Sequence, residues 1–137
     1  MGLREAEHEE SSPEASLLLI SRLECAIAGQ RRRVILLSGT TAASAYGGSE
    51  TVEDFRCNFG LNPEYRERIE SGGLRVAGQD ENGEVRIVEL RGHPFFLAAL
   101  FLPQHSSARE APHPLFVAFL RAAAAFHPTH LSPIGAA

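Results

Sequence analysis

The chain has 137 residues, 44% hydrophobic and 22% charged, a balance typical of one compact globular domain and not of a disordered chain. Its formal net charge of −4 argues against nucleic acid as a partner, because phosphate binding needs a cationic surface. All 13 basic residues are arginine, which excludes chemistry that needs a lysine. No apolar run approaches the roughly 20 residues that cross a bilayer, so we expect a single cytoplasmic domain over 1–137.

The first half of the chain predicts a loop followed by short strands and one short helix. Residues 4–13 (REAEHEESSP) are charged and rich in turn formers, and we expect 1–13 to be loose. Apolar and β-branched runs predict strands at Leu17–Leu23, Val34–Leu37 and Thr51–Asn58, and an Ala-rich run predicts a helix at Thr40–Tyr46.

A second helix has clear start and stop signals. Asn62 is a good N-cap, Pro63 suits the first turn, and Glu64 favours the positive end of the helix dipole. Gly72 and Gly73 supply the stop. The next two apolar runs, Leu74–Gly78 and Val85–Leu90, flank an Asn-Gly pair and predict a β-hairpin.

The last third predicts a buried strand and a buried helix. Phe95–Leu102 is apolar without alternation, which indicates a strand covered on both faces in the middle of a sheet. Pro114 begins a final helix with His113 as its cap, and Leu115–Phe126 is apolar almost all round, so we expect it to be buried on more than one side. Residues 128–137 are expected to be loose. The fold class is therefore mixed α/β with a hairpin and a C-terminal helix.

Several ordered motifs resemble one family. Residues 85–104 (VRIVELRGHPFFLAALFLPQ) are similar to the closing strands of CTP synthase, where His-Pro-aromatic-Phe leads into a strand that ends in Phe-His-Pro-Glu. Residues 113–123 (HPLFVAFLRAA) are similar to its last helix. Upstream, 51–66 and 73–78 match in the same order. Over about residues 5–125 the chain resembles the later part of the class I glutamine amidotransferase domain of CTP synthase, and especially short proteins related to its C-terminal region.

The resemblance implies a partial class I glutamine amidotransferase-like, flavodoxin-like layered fold that lacks the nucleophile half. In the family a cysteine attacks glutamine, a histidine moves the proton, and a glutamate orients the histidine. Neither Cys25 nor Cys57 has the close glycines of a nucleophile turn. The histidine and glutamate positions fall on Leu102 and Gln104, so we expect no catalytic residue. The adjacent His105 is expected to face solvent.

Two ligand-holding positions of the family are matched. The glutamate that holds the α-amine matches Glu10, although Glu9 is an equally good candidate, and the arginine that holds the α-carboxylate matches Arg56. The pattern departs at Asn58, where the family has a second arginine, and at Phe59, where it has tyrosine. The alternative is that Glu10 and Arg56 are ordinary surface charges.

No cofactor or metal is expected. The two cysteines match no zinc or redox spacing. His127 and His130 are three residues apart but lie in a Pro-interrupted segment with no further ligand after them.

The sequence leaves more than one function open. One hypothesis is a catalytically degenerate amidotransferase-like domain, a pseudoenzyme that binds glutamine, a related amino acid or a protein partner. The other is a component or truncated form of a CTP synthase-type amidotransferase of pyrimidine biosynthesis, completed by another chain or by a longer reading frame. CTP synthesis by the chain alone is excluded, because it has neither a phosphate-binding glycine loop nor a lysine. A homo-oligomer is expected if apolar edges are left uncovered.

Overall fold

The computed structural model describes residues 4–24 and 26–126. Their secondary structure consists, in chain order, of β1 (Glu7–His8), β2 (Leu18–Arg22), β3 (Arg31–Leu36), α1 (Thr41–Tyr46), β4 (Glu50–Asp54), β5 (Phe59–Leu61), a 3-10 turn (Pro63–Tyr65), α2 (Arg66–Ser71), β6 (Leu74–Gln79), β7 (Val85–Leu90), β8 (Leu97–Ala99), a second 3-10 turn (Pro103–His105) and α3 (Pro114–Ala125).

A five-stranded sheet forms the centre of the molecule. Its order is β4-β3-β6-β7-β8, and every pairing is antiparallel. The predicted hairpin is confirmed as β6 and β7, which a tight turn at Asn82 and Gly83 connects. Gly83 has φ +82°, a backbone conformation that glycine adopts without steric cost, and its N–H donates to the Asp80 carbonyl at 3.0 Å.

A three-stranded sheet packs beside the large one, with β5 against β7. β1 pairs with β2 in parallel, and β2 pairs with β5 antiparallel. The segment predicted as a loop at 4–13 therefore contains a two-residue strand. The strand predicted at Thr51–Asn58 is wrong in its extent, because β4 ends at Asp54 and residues 55–58 cross to the second sheet.

The core lies between the large sheet and helices α1 and α3. It is built from fully buried aliphatic and aromatic side chains, among them Val34, Ala42, Phe55, Ile87, Phe101 and Leu115. Thr40, predicted as the first residue of α1, is its N-cap, and the predicted cap Asn62 begins the 3-10 turn that leads into α2. Thr40 Oγ1 accepts the Ala43 N–H at 3.1 Å, and Asn62 Oδ1 accepts the Glu64 N–H at 3.1 Å. The mixed α/β fold with a hairpin and a C-terminal helix is confirmed.

The prediction of a central strand over Phe95–Leu102 is wrong. The strand β8 covers only Leu97–Ala99 and lies at the edge of the sheet, with β7 as its sole partner among the described strands. The run is apolar for a different reason. Its flanking aromatic residues pack on neighbouring elements, Phe95 against Phe119 and Phe101 against Phe55.

The prediction that the final helix is buried on more than one side is also wrong. His113 caps α3 as expected, since its Nδ1 accepts the Leu115 N–H at 3.2 Å. Leu115 is the buried residue of the helix, whereas Phe119 and Leu120 are 51% and 64% exposed. The first turn thus anchors α3, and its later turns leave apolar side chains uncovered. Residues 128–137 lie outside the described range.

Within residues 4–24 and 26–126, no helix has both the length and the apolar character required to cross a membrane.

Candidate functional site

Glu10 and Arg56 extend from the same end of the three-stranded sheet. β1 runs parallel to β2, so Glu10 lies beyond His8 toward the Arg22 end of β2. Phe59 pairs with Arg22, so Arg56 lies three residues beyond that same end. Both residues are exposed, and neither side chain forms a hydrogen bond or ion pair with the described residues. The register places their segments at the same end of the sheet, on opposite sides of β2, and their binding role stays a prediction.

The alternative candidate, Glu9, already has a partner. The Arg22 backbone N–H donates to its Oε2 at 2.5 Å, and the Arg22 Nε lies 3.9 Å from its Oε1. Glu10 uses only its backbone N–H, which donates to His8 Nδ1 at 3.1 Å. Of the two carboxylates, that of Glu10 is the one available to a ligand.

The two departures from the family pattern have structural roles. Asn58 Oδ1 accepts the backbone N–H groups of Ile27 and Ala28, each at 2.8 Å. Phe59 is buried, and the Arg22 guanidinium lies 5.1 Å from the centre of its ring. These contacts hold Ile27, Ala28 and the end of β2 against the start of β5.

Leu102 and Gln104 lie beside the Arg56 segment. Phe101 and Phe55 pack edge to face with ring centres 5.9 Å apart, and Leu102 and Arg56 directly follow them in the chain. Gln104 belongs to the 3-10 turn after Leu102 and is exposed, as is His105.

The structure describes one of the remaining candidate residues. Cys57 is a half-buried free thiol. Cys25, His127 and His130 lie outside the described residues. Among residues 4–24 and 26–126, no three His, Cys, Asp or Glu side chains lie close enough together to hold a metal ion.

Three buried polar clusters were not predicted from the sequence. The first lies beneath the helices, where the Glu53 carboxylate receives the Tyr46 hydroxyl at 2.5 Å and the Thr51 hydroxyl at 3.3 Å. His113 Nε2 lies 3.2 Å from the same Glu53 oxygen. Because His113 Nδ1 accepts the α3 cap bond, Nε2 carries the proton and donates to Glu53. Burial, followed by the bond to Glu53 and its charge, raises the pKa of Tyr46 above its ordinary range.

The second cluster fixes the start of α1. Glu89 is 2% exposed, and its carboxylate accepts the backbone N–H groups of Thr41 and Ala42 at 2.9 and 3.3 Å. Arg75 Nε donates to it at 2.7 Å. In both of these clusters the charged groups have matching partners, so they serve the fold.

The third cluster lies between the two sheets and is incomplete. Arg86 is 2% exposed, and its Nη2 donates to Asp80 at 2.7 Å and to Glu84 at 2.6 Å. Its Nη1 is buried and has no hydrogen-bond partner among the described residues. A buried donor without an acceptor costs about 1–3 kcal/mol, and more on a charged group.

The hairpin turn fixes the Asp80 carboxylate. Its Oδ1 accepts the backbone N–H groups of Asn82 and Glu84 at 2.9 and 3.1 Å. Burial alone would raise the pKa of Asp80, but the bond and charge of Arg86 outweigh it, and the pKa lies below its usual range. Asp80 is thus an ionised anchor for the Arg86 guanidinium.

A cleft of about 440 Å³ opens beside this cluster. Its charged lining residues are Arg22, Glu24, Arg32, Asp80, Glu84 and Arg86. Neither Glu10 nor Arg56 lines it, and neither does Leu102. One sequence signal indicates the site, which is the charged Arg86 between the apolar residues Val85 and Ile87 of β7.

Curated relatives cover most of the chain. CTP synthase of Sulfurisphaera tokodaii is 38% identical over 133 residues, which is 90% of this chain and 25% of that protein. CTP synthase of Roseiflexus castenholzii is 48% identical over 90 residues, 65% of this chain and 16% of that protein. The chain therefore spans about a quarter or less of the length of the curated relatives it matches. No protein-family model matches it.

Solved structures give the same result for the fold. The glutaminase domain of Trypanosoma brucei CTPS with bound acivicin superposes with a TM-score of 0.82 at 25% identity, covering 90% of this chain and 52% of that one. A GMP synthase-type protein of Thermoplasma acidophilum, at 15% identity and a TM-score of 0.55, shares the fold over 77% of this chain and 48% of its own.

Proposed function

We infer that this chain, which is similar in sequence and in fold to the glutaminase part of CTP synthases, serves as one part of a CTP synthase-type glutamine amidotransferase. The observation that carries this proposal is the extent of the structural match. It covers nine-tenths of this chain but only about half of the solved glutaminase domain. The described fold therefore corresponds to one half of such a domain.

In this proposal another polypeptide or a longer reading frame supplies the half that carries the nucleophile. The chain contributes the end of the small sheet, with Glu10 and Arg56 as contacts for the ammonium and carboxylate groups of glutamine. The assembly belongs to pyrimidine nucleotide biosynthesis. The exposed apolar side chains of α3, Phe119 and Leu120, support contact with another chain.

A second candidate is a binding module that does not hydrolyse glutamine. Leu102 and Gln104 support it, because leucine cannot transfer a proton and a neutral amide does not stabilise an imidazolium as a carboxylate does. In this version the amino-acid contacts persist without the reaction.

Co-expression separates the two candidates. The chain is produced together with the segment of Sulfurisphaera tokodaii CTP synthase that precedes the matched region, and complex formation is measured by light scattering. Glutamate release from glutamine is then measured for the native chain and for the Leu102→His, Gln104→Glu double variant. We expect a complex in both cases.

Each outcome has one meaning. Glutamate release by the native complex supports the catalytic component. Release only by the double variant supports the binding module. If no complex forms, the proposal that the chain is half of an amidotransferase is wrong.

Ligand contact by Arg56 has its own test. Glutamine should raise the melting temperature of the chain, since a ligand at a hundred-fold excess over its Kd adds about 2.7 kcal/mol of stability. The shift should disappear in Arg56→Ala and persist in the exposed control Arg91→Ala. A shift that survives in Arg56→Ala would show that Arg56 is an ordinary surface charge.

A further inference from the structure

The cleft between the two sheets has no role in the proposed amidotransferase. Its volume of about 440 Å³ is within the range of small-molecule sites. It is bounded by β2 and β5 on one side and by the β6–β7 hairpin turn on the other. Its lining is polar and charged at its inner end, where Arg86 is buried.

Arg86 presents a donor for which the described residues offer no acceptor. Nη2 is saturated by Asp80 and Glu84, while Nη1 is unpaired. The guanidinium carbon lies 5.5 Å from the centre of the Phe55 ring. That contact stabilises the positive charge but provides no acceptor atom for the Nη1 hydrogens. An unpaired guanidinium donor held rigidly beside a cleft indicates a ligand with an oxygen acceptor.

Gly60 lies beside Nη1, and its lack of a side chain makes room for Leu23. A Cβ on Gly60 would lie 3.6 Å from Nη1 and 2.5 Å from the Leu23 Cδ2 atom. Leu23 lines the cleft and fills the room next to Gly60, so rotation of its side chain would open a path from the cleft to the buried Nη1.

The charges of the lining indicate what kind of ligand fits. Three arginines, Arg22, Arg32 and Arg86, are matched by three carboxylates, Glu24, Asp80 and Glu84. A ligand of one sign would leave an unbalanced charge, whereas a zwitterion would not. Among the described residues, the neutral Gln30 amide at 3.1 Å is the one hydrogen-bond partner of the Arg32 side chain, and Glu84 is one-third exposed. Both signs of charge are therefore available to a ligand.

We propose that this cleft binds a free α-amino acid, whose carboxylate accepts from Arg86 Nη1 and Arg32 and whose ammonium group donates to Glu24 and Glu84. The site is distinct from the Glu10 and Arg56 contacts proposed above and uses none of their atoms. It does not require the chain to belong to an active amidotransferase.

Calorimetric titration tests the proposal with serine, glutamine and glutamate as probes. N-acetyl-serine methylamide, which lacks both charges, is the matched control ligand. We expect at least one of the three amino acids to bind and the blocked compound not to bind. Arg32→Gln and Glu24→Gln should each weaken binding about ten-fold, the effect of losing one charge-assisted hydrogen bond. Arg31→Gln, an exposed neighbour on the same strand, should change Kd by less than about two-fold.

The outcomes separate this site from the one at Arg56. Binding that is weakened by Arg32→Gln and unchanged by Arg56→Ala supports the cleft. Binding that is lost in Arg56→Ala but retained in Arg32→Gln overturns the cleft and supports the other site. Absence of binding by all three amino acids at millimolar concentration overturns the proposal, as does equal binding of the blocked compound. Arg86→Met should abolish binding, but the rim variants decide the test because they do not disturb the buried ion pair.

Discussion

Two buried charge clusters of this molecule differ in one respect. Beneath the helices, the Glu53 carboxylate receives Tyr46, Thr51 and His113, and no donor of that cluster is left over among the described residues. Between the sheets, Arg86 satisfies two carboxylates and still has an unpaired Nη1.

The difference distinguishes a structural cluster from a candidate binding site. In the cluster beneath the helices, the hydrogen bonds to Glu53 connect α1, β4 and the cap of α3, and they stabilise the fold. In the cluster between the sheets, which we call the open cluster, the unpaired Arg86 donor lowers the stability of the ligand-free protein. A ligand that supplies the missing acceptor restores that stability. Four predictions test this contrast.

The largest effect is expected for Glu53→Ala. It removes the acceptor of two hydroxyl groups and of a histidine in a buried site, so the free energy of unfolding should fall by about 3 kcal/mol. Asp54→Ala is the control on the same strand, because the ion pair that it forms with a described residue is a 3.8 Å contact with Arg31 at the surface, worth less than about 1 kcal/mol. Urea unfolding measures both. Equal losses would mean that the cluster beneath the helices does not stabilise the fold.

Tyr46→Phe should lower the free energy of unfolding by about 2 kcal/mol, the value of a hydrogen bond to a charged group. The ring stays in place against His113, so the change isolates the hydroxyl. Tyr65→Phe is the control and should be nearly neutral.

The raised pKa of Tyr46 gives a second readout. In a Tyr65→Phe background, absorbance near 295 nm should show no phenolate above pH 10 until the chain unfolds, because the raised pKa keeps the Tyr46 hydroxyl protonated in the folded state. The stability that this hydroxyl contributes is fully present below the pKa of tyrosine in the unfolded chain and is lost as pH rises toward the folded pKa of Tyr46.

Gly83→Ala tests the turn that holds Asp80 in the open cluster. Alanine at φ +82° is strained by about 1–2 kcal/mol. Gly48→Ala is the control, since Gly48 has no positive φ and its added Cβ would meet only a backbone oxygen at 3.9 Å. Thermal unfolding should show a clear loss for the first variant and almost none for the second. A neutral Gly83→Ala would show that the turn rearranges freely.

The smallest of the four effects is expected when acid protonates Asp80 in the open cluster and so lowers the stability of the protein. The folded pKa of Asp80 lies below its ordinary value of 3.8, so its contribution is present above that pH and is lost as pH falls through the folded pKa. Urea midpoints measured between about pH 5 and pH 2.5 should fall more steeply in the native chain than in Asp80→Asn. Identical slopes would mean that Asp80 is not preferentially ionised in the fold.

The sequence predicted local features well. The cap at Asn62, the turn at Gly83 and the His113 cap each depend on residues adjacent in the chain, and the structure confirms all three. The predictions failed where the burial of a segment depends on residues that are distant in the chain. The run Phe95–Leu102 and the helix α3 are both largely apolar, yet only Leu97–Ala99 of the first forms a strand, at the sheet edge, and the second is largely uncovered.

The candidate site residues divide in the same way. Leu102, Gln104, Glu10 and Arg56 were identified from motif position, and the sheet register brings the segments of Glu10 and Arg56 to one end of the small sheet. The Arg86 cleft was not identified, because its six charged residues come from β2 and the loop after it, β3, and the β6–β7 hairpin.

The sequence by itself therefore determined the family resemblance, the local caps and the β6–β7 hairpin. Only the tertiary structure decided which charges are satisfied. A hydrogen bond is a property of two groups in space, and the sequence shows that Arg86 is charged but not that one of its donors has no acceptor among the described residues.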